Sequence, residues 1–200
     1  MISPFRFYCR PALVLLSVGL LHPGGLASAA PTNEFRLAMR PLIIPERGTV
    51  TSYLLQTSRG RFSFLPPLNW VVKEKATTRE VVMMARNLTT SIRFKIVEGT
   101  PEPTMEARVA RWRQAMSESY PDGRITAEFP CYTSKIAGVA LDLERVAPNK
   151  TKLFTRLAFV PLPDGHVEFE LTTTSGEPAD TRLVLGNVLT SFRVESGTEK

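Results

Sequence analysis

Between residues 50 and 174, apolar and polar side chains alternate in short runs, which is the pattern of strands that bury one face. In the run 91–97, for example, the aliphatic and aromatic side chains share one face, whereas Arg93 and Lys95 share the other. Glycine and proline separate the runs, as in the tight turn at 163–165, and short turns of this kind connect antiparallel neighbours. The pattern therefore favours folds built on an antiparallel sheet.

Nine short strands are predicted from these runs, at residues 50–57, 61–65, 70–75, 81–84, 91–97, 125–131, 137–145, 151–162 and 166–174. Two other segments repeat apolar residues with a helical period. The first begins after Thr104, a predicted N-cap, and carries this stripe: Met105, Val109, Trp112, Met116 and Tyr120. The second spans 178–194 and contains Gly186, where we expect close backbone packing because glycine costs about 1 kcal/mol relative to alanine inside a helix.

The order strands, helix, strands, helix predicts an α+β fold, with an antiparallel sheet of about six to seven strands sandwiched between helices. The predicted domain covers residues 49–194. Ahead of it, 30–48 is expected to be an extended lead-in with only a short turn near 33–39, because Pro31, Pro41 and Pro45 interrupt helices and ladders. The polar residues 195–200 are predicted to be a disordered tail.

Residues 1–29 have the three-part organisation of a secretory signal peptide. Arg6 and Arg10 precede an apolar core at 12–21, and Ala27-Ser28-Ala29 supplies small residues before a cleavage site. Cleavage is predicted after Ala29, and the mature protein is expected in the periplasm or outside the cell. No apolar run approaches the length of about 18 residues that a membrane-spanning helix needs.

Removal of this segment changes the charge and the cysteine content. The segment contains two arginines and no acidic residue, so the formal net charge falls from +6 to +4. Cys9 is lost with the signal, which leaves Cys131 as a lone cysteine in an oxidising compartment. Strand alternation places Cys131 on the face of Phe129 and predicts a buried, unreactive thiol.

Three local motifs resemble those of PsbP-like proteins. The run Phe62-Ser63-Phe64-Leu65-Pro66-Pro67-Leu68-Asn69-Trp70 is similar to their opening F-x-F-x-x-P-x-x-W, and Pro163-Asp164-Gly165 lies at a hairpin where they carry a similar turn. Val188-Leu189-Thr190-Ser191-Phe192-Arg193 resembles their closing helix. The resemblance covers residues 49–194 and implies a six- or seven-stranded sheet between helices and a non-enzymatic role. That family includes an extrinsic photosystem II protein, a nuclear-import factor and many exported bacterial proteins.

A reaction site is not predicted, so the chain is interpreted as a non-enzyme without cofactor. Nucleophilic catalysis needs a nucleophile beside an activating base, but the mature chain has one cysteine, Cys131, and one histidine, His166, far apart in sequence. Phosphate-loop, nucleophile-elbow and dinucleotide-binding motifs are absent from the sequence.

One row of residues has the spacing of metal ligands. His166, Glu168 and Glu170 alternate along one strand and leave it on the same face, and imidazole and carboxylate groups suit zinc or manganese. The alternative is a solvated strand face whose charges maintain solubility. We favour the solvated face and predict no metal site, since the sequence offers no second cluster of ligands.

A cluster of arginines on the first helix, Arg108, Arg111 and Arg113, gives a local positive face. A net charge of +4 is too small to indicate nucleic-acid binding, whereas weak attraction to an anionic membrane surface is compatible with it. These observations predict an exported, non-catalytic binding or assembly module of the cell envelope, with a protein partner docking at 41–48 or at an exposed sheet edge. The alternative is a periplasmic carrier of a small ligand or a divalent metal. Neither the oligomeric state nor the partner is predicted.

Overall fold

Eleven strands and two helices make up the part of the chain described by the computed structural model, residues 34–46, 48–100, 102–174 and 178–195. In chain order they are β1 (Phe35–Ile44), β2 (Gly48–Thr57), β3 (Gly60–Phe64), β4 (Val71–Lys75), β5 (Glu80–Met84), β6 (Thr90–Glu98), α1 (Met105–Ser119), β7 (Arg124–Tyr132), β8 (Ala137–Val146), β9 (Lys152–Leu162), β10 (Gly165–Thr173), α2 (Pro178–Ser191) and β11 (Arg193–Glu195). The predicted signal peptide, its cleavage site and residues 196–200 of the predicted tail lie outside the described residues.

The larger sheet has seven antiparallel strands in the order β4-β5-β6-β10-β9-β8-β7. Its centre is held in register by apolar side chains, with Phe169 opposite Phe94 on one side and Ala158 on the other. All three are almost completely buried. This sheet and the two helices confirm the predicted α+β fold.

A second sheet of four strands, in the order β1-β2-β3-β11, was not predicted. The expectation that 30–48 holds no regular element beyond a turn was wrong, because β1 occupies Phe35–Ile44 and pairs with β2 at ten successive positions. Proline did not exclude a strand here because β1 lies at the edge of its sheet. An edge strand tolerates Pro41 without loss of a ladder hydrogen bond.

The second helix is shorter than predicted. It ends at Ser191 rather than at residue 194, and the following residues form β11, in which Val194 lies opposite Phe62 of β3. Ser191 explains the ending, since its hydroxyl donates to the carbonyl oxygen of Val188 at 2.8 Å and accepts from the N–H of Leu65 at 2.9 Å.

Helix α1 covers one face of the seven-stranded sheet. Its predicted cap is confirmed, as the Thr104 hydroxyl accepts from the N–H of Ala107 at 3.2 Å. Trp112 is buried and stacks on Phe159 of β9 with ring centroids 5.0 Å apart. Val109, Trp112 and Met116 of the predicted stripe pack with leucines of β8 and β9 into one small core, whereas Met105 is 37% exposed.

The main core lies on the other face of the large sheet, where α2 and the four-stranded sheet pack. Phenylalanine rings form its centre. The ring centroid of Phe94 lies 5.1 Å from those of both Phe64 and Phe169, and the centroid of Phe192 lies 5.2 Å from that of Phe169. Aromatic contacts of this kind add about 0.5–1.5 kcal/mol each beyond area burial. The expectation of close backbone packing at Gly186 was wrong, because a Cβ there would meet nothing within 4 Å.

None of the helices in the described ranges is long and apolar enough to cross a membrane.

Candidate functional site

The row of His166, Glu168 and Glu170 shares one face of β10, as the alternation predicts, but that face is only partly open to solvent. Helix α1 covers it, and the His166 ring lies 5.6 Å from Trp112 and 5.7 Å from Phe159. Burial, aided by the charges of Lys95 and Arg111, lowers the pKa of His166 to about 4. The expectation of a fully solvated strand face was therefore wrong, because His166 is half-buried.

The two carboxylates of the row are held in ion pairs. Glu170 is 6% exposed, accepts from Arg93 Nε at 2.6 Å and from the Tyr120 hydroxyl at 2.7 Å. Burial, together with this bond to Glu170, raises the pKa of Tyr120 to about 12. Glu168 lies 3.3 Å from Lys95. In the part of the chain that the structure describes, no three His, Cys, Asp or Glu side chains converge on a possible metal position.

Cys131 is buried, as predicted, at 7% exposure. Burial raises the pKa of its thiol to about 11, although the nearby Arg156 acts in the opposite sense. The thiol packs in the main core on the α2 side of the sheet, whereas His166 packs under α1 on the other side. The sheet separates the two groups, so they do not form a nucleophile–base pair.

The positive face predicted on α1 is largely neutralised by acidic neighbours. Arg111 lies 3.2 Å from a carboxylate oxygen of Glu102, and Arg113 Nε donates to Glu128 at 2.7 Å. Arg108 Nε donates to the main-chain carbonyl of Glu102 at 3.0 Å. The pairing of Arg111 and Arg113 with carboxylates reduces the attraction of this helix face to an anionic surface.

A buried ion pair on the other face of the sheet was missed by the sequence reasoning. Asp142 of β8 is 1% exposed and accepts two hydrogen bonds from Arg156 of β9, at 2.6 and 2.8 Å. The Arg156 guanidinium lies 4.2 Å from the ring centre of Phe129, and Arg182 of α2 approaches Asp142 at 3.3 Å. Asp142 and Arg156 each interrupt a mainly apolar run of their strand, and two such charges of opposite sign in neighbouring strands were the available signal.

A cavity of about 250 Å³ adjoins this ion pair, between α2 and the strands β7 and β8. Cys131 and Ala140 line it from the sheet, and Leu185 and Gly186 line it from the helix. Arg182 stands at the cavity with its side chain 49% exposed.

The hairpin formed by β1 and β2 extends past its neighbours in the sheet. β3 pairs with β2 only at positions 53–57, so residues 40–44 and 48–52 pair with each other alone. We call this two-stranded segment, with its turn, the β1–β2 ribbon. Two of its apolar side chains are exposed, Ile43 at 78% and Leu42 at 42%, and Met39 beside it is 72% exposed.

No protein-family model matches this sequence, and no curated protein has a sequence that matches it. A solved structure shares its fold. The solution structure of cyanobacterial PsbP from Synechocystis sp. PCC 6803 has a TM-score of 0.52 at 14% identity, over 85% of this chain and 99% of that chain.

Two further structures are more distant. LpqN of Mycobacterium tuberculosis, described as involved in cell envelope biogenesis, has a TM-score of 0.41 at 9% identity, over 82% of this chain and 87% of that one. The Saccharomyces cerevisiae Ran-binding protein Mog1p has a TM-score of 0.49 at 10% identity, over 66% and 89%. At these identities the likeness concerns the fold alone, and the PsbP-like fold predicted from the three motifs is confirmed by the first structure.

Proposed function

We propose that this protein is an exported, non-catalytic binding or assembly module of the cell envelope, and that its β1–β2 ribbon is the surface on which a partner protein docks. The observation that carries the proposal is the exposure of Ile43 and Leu42 on a segment that the rest of the sheet does not support, with Met39 exposed beside it. The segment contains residues 41–48, where a docking surface was predicted from the sequence.

The ribbon has the physical properties of a docking element. A two-stranded ribbon has little stability in water by itself, and grouped exposed aliphatic side chains mark interaction sites in many proteins. Its β1 strand is also the edge of the four-stranded sheet, so its outer edge is open to a partner strand by β-augmentation, except at Pro41, which has no N–H to donate. Burial of Ile43 and Met39 in a partner would then contribute about 1.5–3 kcal/mol for each side chain.

The chemistry of the titratable groups supports a non-catalytic role. Three described side chains of types that often act in catalysis make structural contacts instead: His166 packs against Trp112, Glu170 forms ion pairs, and Cys131 lies in the main core. A base with a pKa near 4 and a thiol with a pKa near 11 are poorly matched to proton transfer or nucleophilic attack at neutral pH.

Export is proposed from the signal-like segment at the start of the chain. The mature protein is expected to begin at Ala30, with cleavage after Ala29, and intact mass spectrometry of protein recovered from the periplasm tests this directly. Protein that retains its first 29 residues in the cytoplasm would contradict the proposal.

The docking surface is tested by capture from the native envelope with gentle crosslinking. The wild-type protein is compared with the Met39→Ser/Ile43→Ser variant, whose changes lie at exposed positions and leave the cores untouched. The proposal expects a discrete partner protein with the wild type and at least a tenfold lower yield with the variant, equivalent to about 1.4 kcal/mol.

The matched control is Leu68→Ser, which removes an 88% exposed leucine from a turn outside the ribbon. The control variant should recover the partner at the wild-type level. Recovery of no partner by the wild type, or equal recovery by the ribbon variant, contradicts the proposal.

The metal-carrier alternative gains no support from the described residues, because the row that motivated it lies under α1 and pairs with basic side chains.

A further inference from the structure

The cavity beside α2 is lined on the helix side by a glycine, Gly186. A glycine inside a helix costs about 1 kcal/mol relative to alanine, and backbone crowding does not account for its presence, since a Cβ at Gly186 would meet nothing within 4 Å. Its effect in the structure is to leave open the space between α2 and β7, where Leu185 and Leu189 face Phe129 and Cys131 across the cavity. A Cβ at residue 186 therefore has room beside the cavity.

The cavity combines apolar walls with an excess of positive charge. Two of its lining residues, Arg156 and Arg182, are arginines, and both contact the single carboxylate of Asp142. The described charged groups of this cluster therefore carry one net positive charge. Arg156 makes two short hydrogen bonds to Asp142, at 2.6 and 2.8 Å, and is 8% exposed, so its guanidinium is fixed.

Arg182 differs from Arg156 in its freedom to bind another anion. It approaches Asp142 at 3.3 Å through one terminal nitrogen, and its side chain is 49% exposed. A guanidinium has five N–H donors in a planar fork that matches a carboxylate. The guanidinium also lies 5.7 Å from the ring centre of Phe154, and its single contact with Asp142 uses one of its two terminal nitrogens.

We propose that this cavity binds an amphiphilic carboxylate, a medium-chain fatty acid, with its tail between Leu185, Leu189 and Phe129 and its head group on Arg182. A volume of about 250 Å³ lies just below the range of roughly 300–1,000 Å³ for sites that take drug-sized ligands, which selects a short aliphatic tail. The proposal is independent of partner docking, because the β1–β2 ribbon contributes no residue to the cavity.

Titration calorimetry of the purified protein with sodium octanoate tests this proposal, with 1-octanol and octylamine as probes of equal chain length and different charge. We expect saturable binding of octanoate, at least tenfold weaker binding of 1-octanol and no binding of octylamine. The Arg182→Gln variant should weaken octanoate binding about ten- to a hundredfold, because one charge-assisted hydrogen bond is lost, and should leave octanol binding unchanged.

The position of the ligand is tested at Gly186. Gly186→Phe fills the cavity and should abolish octanoate binding, whereas the matched Gly186→Ala variant adds one methyl group, should retain binding and should raise the melting temperature of the free protein. Methyl NMR shifts of Leu185 and Leu189 on addition of octanoate report the site without any substitution. Absence of saturable octanoate binding, equal binding of octylamine, or unchanged affinity in Arg182→Gln would overturn the proposal.

Discussion

Removal of the Asp142 carboxylate charge should destabilise this protein more than any surface charge change on the same strand. In Asp142→Asn the side chain keeps its shape, but its amide nitrogen now faces the donors of Arg156, which held two hydrogen bonds at 2.6 and 2.8 Å. Asp142 is 1% exposed and Arg156 is 8% exposed, so the guanidinium stays buried without a counter-charge. Loss of one partner from a buried pair costs about 3–5 kcal/mol.

The assay is urea unfolding followed by circular dichroism, with thermal unfolding as a second measure. A loss of this size corresponds to a fall of roughly 6–20 °C in Tm for a domain of this length. The matched control is Glu144→Gln, two residues along β8, where the pair with Arg124 spans 2.8 Å but both side chains are mostly exposed. An exposed pair contributes about 0.2–1 kcal/mol, so the control should lose at most a few degrees.

A double-mutant cycle separates the interaction energy of Asp142 with Arg156 from the effect of each substitution by itself. Arg156→Met places an apolar side chain beside Phe129, and in the double variant with Asp142→Asn no unpaired charge from this pair remains buried. The double variant should therefore be more stable than the sum of the two single losses predicts. If Asp142→Asn loses no more stability than Glu144→Gln, the carboxylate is not a buried ion in solution and the reasoning is refuted.

Three further outcomes follow from groups elsewhere in the fold. The pKa of His166 is about 4 in the folded protein and 6.5 in the unfolded chain, so the unfolded state binds the proton more readily. The free energy of unfolding should therefore fall by about 2 kcal/mol between pH 7 and pH 4, after allowance for partial exposure. A His166→Gln variant should lack this part of the pH dependence. In a Cys9→Ser background, Cys131 should resist a thiol reagent in native buffer and react fully in denaturant, and rapid native labelling would contradict its burial. Gly165→Ala should lower the free energy of unfolding by about 3 kcal/mol, because a Cβ would lie 2.0 Å from the Val97 carbonyl oxygen. The control Gly60→Ala is also at positive φ but has no neighbour within 4 Å, so it should lose about 1 kcal/mol. Equal losses in the two variants would refute the steric clash at Gly165.

Local periodicity was enough to predict most strands and both helices, because it depends only on which side chains share a face. It correctly predicted that Ile92 and Phe94 share a buried face, and that Trp112 lies on the buried stripe of α1. It could not determine what covers the opposite face, so His166 and Glu170 were assigned to solvent although α1 packs over them. Such coverage depends on the path of the chain through space, which alternation does not encode.

Strands β1 and β11 were missed for a different reason. Pro41 argues against a central strand, but it is tolerated at the edge of a sheet, and edge position is a property of the whole topology. The helical pattern of α2 continues past Ser191, and only pairing with β3 draws residues 193–195 into a strand. The cavity also required the structure, since a lone Gly186 in a helix is equally compatible with close packing or with open space.

Site-specific photocrosslinking at the β1–β2 ribbon is the most direct test of the proposed role in partner binding. A benzophenone side chain placed at Ile43, 78% exposed, is compared with the same side chain at Leu68, 88% exposed but outside the ribbon. In cells that produce the protein, irradiation should join position 43 to one discrete protein and position 68 to none. No adduct at position 43, or the same adducts at both positions, would contradict a docking role for the ribbon.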